Sequence, residues 1–308
     1  MKNKKTIASA LLMLTSIIWG LAFVFQRVGM DSIEPITFNA ARMTIGAIFV
    51  SAVSYLKDLK AKKTEITTEN SEADRKTTLK YTLIGGSLCG IFLTAASITQ
   101  QIGLVYTTAG KAGFITAMYM LLVPIFNLII FKKSGSAKIW ISVIIGMLGM
   151  YLLCMKESFS LTLGDALVFL CAILFSGHIL TCDNFAPKSD PIKMSAIQFI
   201  VTSVISWIIA FITEEPTVEK IVSAAIPILY CGILSGGVGY TLQIVGQKYT
   251  DPSSASLIMS LESVFAVIAG VLILHEKMTL QEVLGCIIMF GAIILIQLPS
   301  KKEKQVKQ

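Results

Sequence analysis

The sequence predicts an all-α polytopic membrane protein, with ten transmembrane helices arranged as two inverted five-helix repeats. Three observations predict it. The 308 residues are 54% hydrophobic and only 15% charged, against about 25% charged in a soluble domain, and the mean hydropathy is +0.74. Apolar runs long enough for a hydrocarbon core of about 30 Å recur along the whole chain. The chain also repeats itself at an offset of 143 positions: Gln100, Gly103, Tyr106-Thr107 and Ala112 return as Gln243, Gly246, Tyr249-Thr250 and Ala255. A period that long means duplicated architecture. In a membrane chain it points to a transporter whose site lies between the repeats.

The first span runs from Ile7 to about Arg27. Lys2-Asn3-Lys4-Lys5 before it mimics a signal peptide, but the apolar run is longer than an h-region and no small-residue cleavage site follows before Gln26-Arg27. The second span is Pro35 to Leu56. A charged segment from Lys57 to Lys80 follows, with seven basic and five acidic residues and no apolar periodicity, and reads as a solvated cytoplasmic linker. The third span is Tyr81 to Val105, the fourth Lys111 to Phe131 and the fifth Ile139 to Met155. The second half supplies Gly164 to Thr181, Met194 to Ile212, Ile221 to Val245, Ala255 to Leu274 and Val283 to Leu298. Continuous apolar runs lack the alternation of barrel strands, so the spans are helices. The repeats are thus 7–155 and 164–298, with a basic cytoplasmic tail at 299–308 near anionic headgroups.

Orientation follows from Lys and Arg. With the N-terminus in the cytoplasm, twenty basic residues fall inside and five outside: Arg27, Lys111, Lys156, Lys220 and Lys277. Both termini are therefore expected in the cytoplasm of a cell-membrane protein. Five spans per half make the second half start on the opposite side, the inverted-repeat geometry of many secondary transporters. The halves echo again where Pro35 precedes Arg42 by seven and Pro191 precedes Gln198 by seven.

Trp19-Gly20-Leu21-Ala22-Phe23-Val24, then Pro35-x-x-Phe38-x-x-x-Arg42, then Ser260-Leu261-Glu262-Ser263-Val264-Phe265-Ala266 with Glu276 and Gly285 behind it, resemble the EamA branch of the drug/metabolite transporter superfamily. The likeness spans about Ile7 to Gln297. It implies ten helices around a central cavity and alternating access for a small metabolite, often in export. Two departures stand out: Ser263 where the family commonly has Pro after the acid, and Lys132-Lys133 where the first repeat often ends in an acid.

Other classes fit less well. The net charge of +7 sits in loops and tails, which argues against nucleic acid. The six cysteines (Cys89, Cys154, Cys171, Cys182, Cys231, Cys286) form no CxxC, so they read as packing residues and no metal is expected. Gly232-Ile233-Leu234-Ser235-Gly236 is one residue too long for an intramembrane serine protease box. His275-Glu276-Lys277 is no HExxH, and no P-loop is present. A secondary transporter without cofactor is expected, not an enzyme or a channel, with a lipid- or drug-flippase-like carrier as the alternative. Its partners are a small-molecule substrate and the lipid bilayer; the oligomeric state stays open, with a monomer plausible.

Eight residues are candidates for binding substrate or coupling. Glu262 is the only acid well inside a span, eight residues into the ninth, about 12 Å deep at 1.5 Å per residue. An ionised acid there costs about 2.5–3.5 kcal/mol, so a proton, a partner or water must offset it. Its repeat mate is Tyr119, and Arg42 is the only cation well inside a span. Glu262 therefore either couples and binds, or ties helices together through Tyr119 or Arg42. Gln100 and Gln243 are amides at matched positions, which favour an interhelical bond or a wet cavity; Gln101, Gln247 and Asn127 are weaker cases. Gln198, the mate of Arg42, is a further candidate. His178 is either hydrogen-bonded structure or a proton carrier. Trp19 either lines the cavity or anchors the interface. Glycines at 85, 86 and 90, and at 232, 236, 237 and 239, allow close helix packing or give slack for rocking.

Overall fold

The computed structural model describes residues 2–63, 72–107, 109–133, 135–154, 162–274 and 278–298. The middle of the charged segment, Lys156, the His275-Glu276-Lys277 stretch and the tail lie outside them. Among the described residues every regular element is helical. In chain order they are α1 (Lys2–Gly29), α2 (Pro35–Lys63), α3 (Glu72–Tyr106), α4 (Ala109–Ala117), α5 (Tyr119–Phe131), α6 (Ala137–Cys154), α7 (Leu163–Phe185), α8 (Pro191–Thr213), α9 (Val218–Ser223), α10 (Ala225–Leu229), a π-helical segment (Tyr230–Tyr240), α11 (Thr241–Gln247), α12 (Pro252–Met259), α13 (Glu262–Leu274) and α14 (Leu280–Gln297). Nine helical stretches of the described residues are long and apolar enough to cross a membrane, and Ala137–Leu153 is a shorter apolar helix.

Helix α8 shows why the bundle belongs in lipid. Ile200, Val204, Ile208 and Phe211 are exposed along one face, while Ser195, Gln198, Thr202 and Ser206 are buried on the other. A water-soluble helix has the opposite pattern. Here the apolar face suits hydrocarbon and the polar face finds partners inside the bundle. Ser206 Oγ accepts from Asn39 Nδ2 at 3.0 Å, Ser203 and Thr44 share a bond of 2.7 Å, and Thr202 Oγ1 donates to Gly90 O at 3.1 Å.

Helix α2 runs on to Lys63 and α3 begins at Glu72, so helix covers much of the expected charged linker. Residues 57–63 contain Lys, Leu, Ala and Asp with no Gly or Pro to stop a helix. The α8 end is sharper. Asp190 caps it by accepting from the amides of Ile192 and Lys193 at 3.0 and 3.3 Å, and Pro191 occupies the first turn, where its missing N–H costs nothing. Burial pushes the Asp190 carboxyl up, but Lys57 Nζ at 2.9 Å and those amides outweigh it and hold it below the usual carboxylate range. Glu34, ahead of Pro35, is also held below its ordinary value, by its bond to Lys220.

The packing is tight at many of the glycines. A Cβ on Gly149 would lie 2.9 Å from Gly285 O, and one on Gly285 would lie 2.7 Å from Gly149 O, so α6 and α14 touch backbone to backbone. The glycines of the third span do likewise. A Cβ on Gly86 would meet Ile197, and one on Gly90 would meet Val201, both on α8. Gly232 and Gly237 face Ile45 and Phe49 of α2 in the same way. Close approach thus accounts for most of these glycines.

Three spans are interrupted. The eighth, expected as one run, is a succession of α9, α10, the π segment and α11. The π segment carries four glycines in 11 residues, which weaken regular α-helical bonding. The fourth and ninth spans break after Ala117 and after Met259, at matched places in the repeat.

Candidate functional site

The two matched breaks face each other. At the first, the Met118 amide bonds to Ile115 O and the Leu121 amide to Met118 O. At the second, the Leu261 amide bonds to Ile258 O and the Ser263 amide to Ser260 O. Each is a tight three-residue turn between two half-helices. Tyr119 is the first residue of α5 and Glu262 the first of α13. Helix starts carry unpaired amides and a partial positive charge, so both polar side chains stand where an oxygen is favoured. Tyr119 Oη donates to Glu262 Oε1 at 3.1 Å, and both residues are buried, at 2% and 4% exposure.

A cavity surrounds this pair. Helix α1 lines it with Trp19, Ala22, Phe23 and Gln26, the spacing of one helical face. The remaining lining comes from Arg42 of α2, Gln100 of α3, Thr116 of α4, Phe175 and Ile179 of α7, Ser235 and Tyr240 of the π segment, and Gln243 of α11. Its free volume is about 30 Å³, room for a water molecule and far below the about 300–1,000 Å³ of pockets that hold metabolites.

Arg42 enters the cavity, 5% exposed. Its Nε and Nη2 donate to Asn39 Oδ1 at 3.1 and 2.9 Å, and its guanidinium lies 5.8 Å from the Phe38 ring centre. No ion pair joins it to Glu262, so the guanidinium and the carboxyl face the space separately. Gln100 Nε2 donates to Thr116 Oγ1 at 3.2 Å. Gln243 Nε2 donates to Gln247 Oε1 at 3.0 Å, and Gln247 in turn donates to Ile179 O. Gln243 Oε1 and Gln26 Oε1 are buried without a partner. Two residues that line one cavity thus each leave an acceptor without a partner, which is costly.

Trp19 lines the cavity. Its Nε1 donates to Ser235 O at 3.1 Å and its ring lies 4.6 Å from that of Tyr240. A Cβ on Gly239 would come within 2.6 Å of Trp19 Nε1, so that glycine makes room for the indole.

Six of the sequence candidates, Glu262, Tyr119, Gln100, Gln243, Arg42 and Trp19, share this cavity. Gln198 and His178 do not line it. They are fully buried and bonded to each other, His178 Nε2 to Gln198 Oε1 at 3.0 Å. The aromatic wall of Phe23, Phe175 and Tyr240, and the amide of Gln26, were not singled out by sequence. For Gln26 the signal was available, since it lies seven residues after Trp19 on one helix face.

Comparison with known proteins places the chain in a family. Residues 6–155 and 162–298 match the EamA-like transporter family. An uncharacterized transporter of Archaeoglobus fulgidus is 28% identical over 295 residues, covering 96% of this chain and 87% of that protein. The uncharacterized transporter YoaV of Bacillus subtilis is 24% identical, covering 91% of this chain and 93% of its own. A solved crystal structure has the same fold, with a TM-score of 0.75 at 15% identity over 96% of this chain and 98% of that one. The family and the relatives' names point to a multi-pass membrane transporter and away from an enzyme. Matched along both halves and across nearly all its length, the chain belongs to the EamA-like transporter family.

Proposed function

We propose that the protein is a secondary transporter that moves a small polar or amphipathic metabolite across the cell membrane by alternating access, in the direction of export. It does so with ten helices in two inverted repeats, 7–155 and 164–298, and with both termini cytoplasmic. The observation that carries the reading is the Tyr119–Glu262 pair at the start of two matched half-helices. Broken helices meeting at mid-depth are where transporters built from inverted repeats bind their cargo.

Other features support it. The packing is reciprocal: α1 lies against α13 as α7 lies against α4 and α5, while α2 with α8 and α6 with α14 pair mate to mate. The family match falls into two segments of similar length. Counting α6, the spans number ten, and the basic residues favour inside termini by twenty to five.

The lining matches the cargo class. Arg42 and Glu262 recognise opposite charges, Gln26 and Gln243 offer open acceptors, and Trp19, Phe175 and Tyr240 cover an apolar body. The free space is too small for such a molecule, so α1, α7 and the half-helices must part to admit it. The π segment and the breaks at Met118 and Ser260-Leu261 are where backbone bonding is weakest for that motion. Cells with and without the protein, compared for metabolites in medium and cytosol, test the reading. A saturable rise of one polar or amphipathic metabolite in the medium is expected; identical profiles under all conditions would contradict it.

A further inference from the structure

Behind the Phe175–Tyr240 wall lies a second polar cluster, outside the cavity lining. Cys89 of α3 and Cys182 of α7 bring their sulfurs to 3.5 Å. His178, one turn before Cys182 on the same helix face, puts Nδ1 at 3.9 Å and Nε2 at 3.8 Å from Cys182 Sγ. One donor atom from each residue lies within 4.8 Å of the others, and all three residues are 0% exposed. We propose that Cys89, His178 and Cys182 bind one thiophilic d10 cation, Zn(II) or Cu(I), which clips α3 to α7 beside the cavity.

Two of the three donor pairs already stand near the spacing of a metal site, and the third lies within 4.8 Å. With metal–sulfur bonds of about 2.3 Å and metal–nitrogen bonds of about 2.0–2.1 Å, donors around one tetrahedral ion stand about 3.4–3.8 Å apart. The sulfur pair and the Cys182–His178 pair fall in or next to that range before any ion is present.

The surroundings suit a ligand set. His178 Nε2 lies 3.0 Å from Gln198 Oε1; in the tautomer that donates there, the Nδ1 lone pair is free for a metal. An outer amide or carboxylate oxygen holding the distal N–H is the usual support for a metal-bound histidine. Phe185, Ala186, Met194 and Ile244 pack around the two cysteines, so the site is dry and favours a soft, poorly hydrated complex. Each thiol that binds gives up its proton. Two thiolates cancel the charge of Zn(II), so that complex is neutral and can sit among apolar groups; around Cu(I) the same two thiolates leave one negative charge, which burial disfavours.

The clip would act on the cavity. The His178 ring stands edge-on to Tyr240 at 5.8 Å and to Phe175 at 6.5 Å, and both rings line the transport cavity. A filled site would hold that wall still. No sequence motif announces it, because Cys89 and Cys182 are 93 positions apart.

The test uses the full-length protein, reduced and in detergent, loaded separately with Zn(II) and with Cu(I). Bound metal is counted by elemental analysis and affinity by competition with a chromophoric chelator. One ion per chain is expected for at least one metal, lost in Cys89→Ser and in Cys182→Ser and retained in Cys231→Ala and Cys286→Ala. Gln198→Ala should weaken binding about 10–100-fold. Should the serine variants not fold, alkylation of the unaltered protein, mapped by mass spectrometry, decides the matter: bound metal should protect Cys89 and Cys182. No stoichiometric binding of either ion, binding that survives both serine variants, unprotected thiols, or a Cys89–Cys182 disulfide in place of metal would overturn the proposal.

Discussion

Tyr119 and Glu262 stand 143 positions apart, the period of the repeat, and Tyr119 Oη donates to Glu262 Oε1 at 3.1 Å. Mates in the two halves thus meet at the centre of the bundle. The bond has a direct consequence. Tyr119→Phe keeps the ring and removes only the donor, so the protein should insert and fold while the rate or the pH profile of transport changes. A net hydrogen bond is worth about 0.5–1.5 kcal/mol to a neutral carboxyl and about 1.5–3 kcal/mol to an ionised one, enough to shift affinity or rate from about twofold to more than tenfold. Unaltered transport kinetics in Tyr119→Phe would confine the bond to packing.

The open acceptors make a second prediction. Gln243 lines the cavity and its Oε1 has no partner, whereas Gln198 serves His178. Gln243→Ala and Gln100→Ala should raise KM several-fold with little change in membrane abundance. Gln198→Ala should leave KM for the cargo near its starting value. Equal effects of Gln243→Ala and Gln198→Ala on KM would move the binding site elsewhere.

Glycine contacts predict stability. Gly285→Val puts carbon into the Gly149 carbonyl, and overpacking of this kind costs about 1–3 kcal/mol. It should lower thermal stability in detergent and the yield of monodisperse protein. Gly291, with nothing within 4 Å of an added Cβ, should accept Ala with a small gain, at most about 1 kcal/mol of helix propensity. Similar thermal unfolding of the two variants would contradict the packing described.

Much of this was legible in the sequence, for a reason that can be traced. Apolar runs mark spans whatever their neighbours do, and an acid such as Glu262 inside one is costly enough to stand out. The offset of 143 then named Tyr119 as its mate. The breaks at Met118 and at Ser260-Leu261 were not legible, because no Gly or Pro occupies them and the tight turns come from tertiary packing. The bond between Gln198 and His178 was hidden as well. Pro191 placed Gln198 level with Arg42, but its helix face turns toward α7 and away from the cavity. Glu214, which accepts from the amides of Ile36 and Thr37 and so caps α2 from a loop 177 positions on, gave no sequence signal.

Asp190 predicts a dependence on pH. Burial pushes its carboxyl up, yet Lys57 and the α8 amides hold it lower still than an unfolded carboxylate. A lowered folded-state value means its contribution is present above the unfolded value, about 3.9, and is lost as pH falls through the folded one. Asp190→Ala removes cap and charge and should cost about 1 kcal/mol at pH 7. Asp190→Asn keeps the cap and should cost less. The gap between wild type and Asp190→Asn should close in unfolding measurements taken below about pH 4; a gap that widens there would refute the assignment.

The orientation is open to labelling. In a background without native cysteines, a cysteine at Thr67 should be shielded from an impermeant thiol reagent in intact cells, and one at Glu215 should react. The reverse pattern would turn the whole bundle over.

The central claim is that Glu262 serves transport at the meeting point of the repeats. The most direct measurement compares metabolites in medium and cytosol of cells carrying wild type, Glu262→Gln or no protein, at matched membrane abundance and at several pH values. The account predicts that Glu262→Gln inserts and folds but loses the wild-type change in the exported metabolite, or loses its variation with pH. Export by Glu262→Gln at the wild-type rate and with the wild-type pH profile would contradict it.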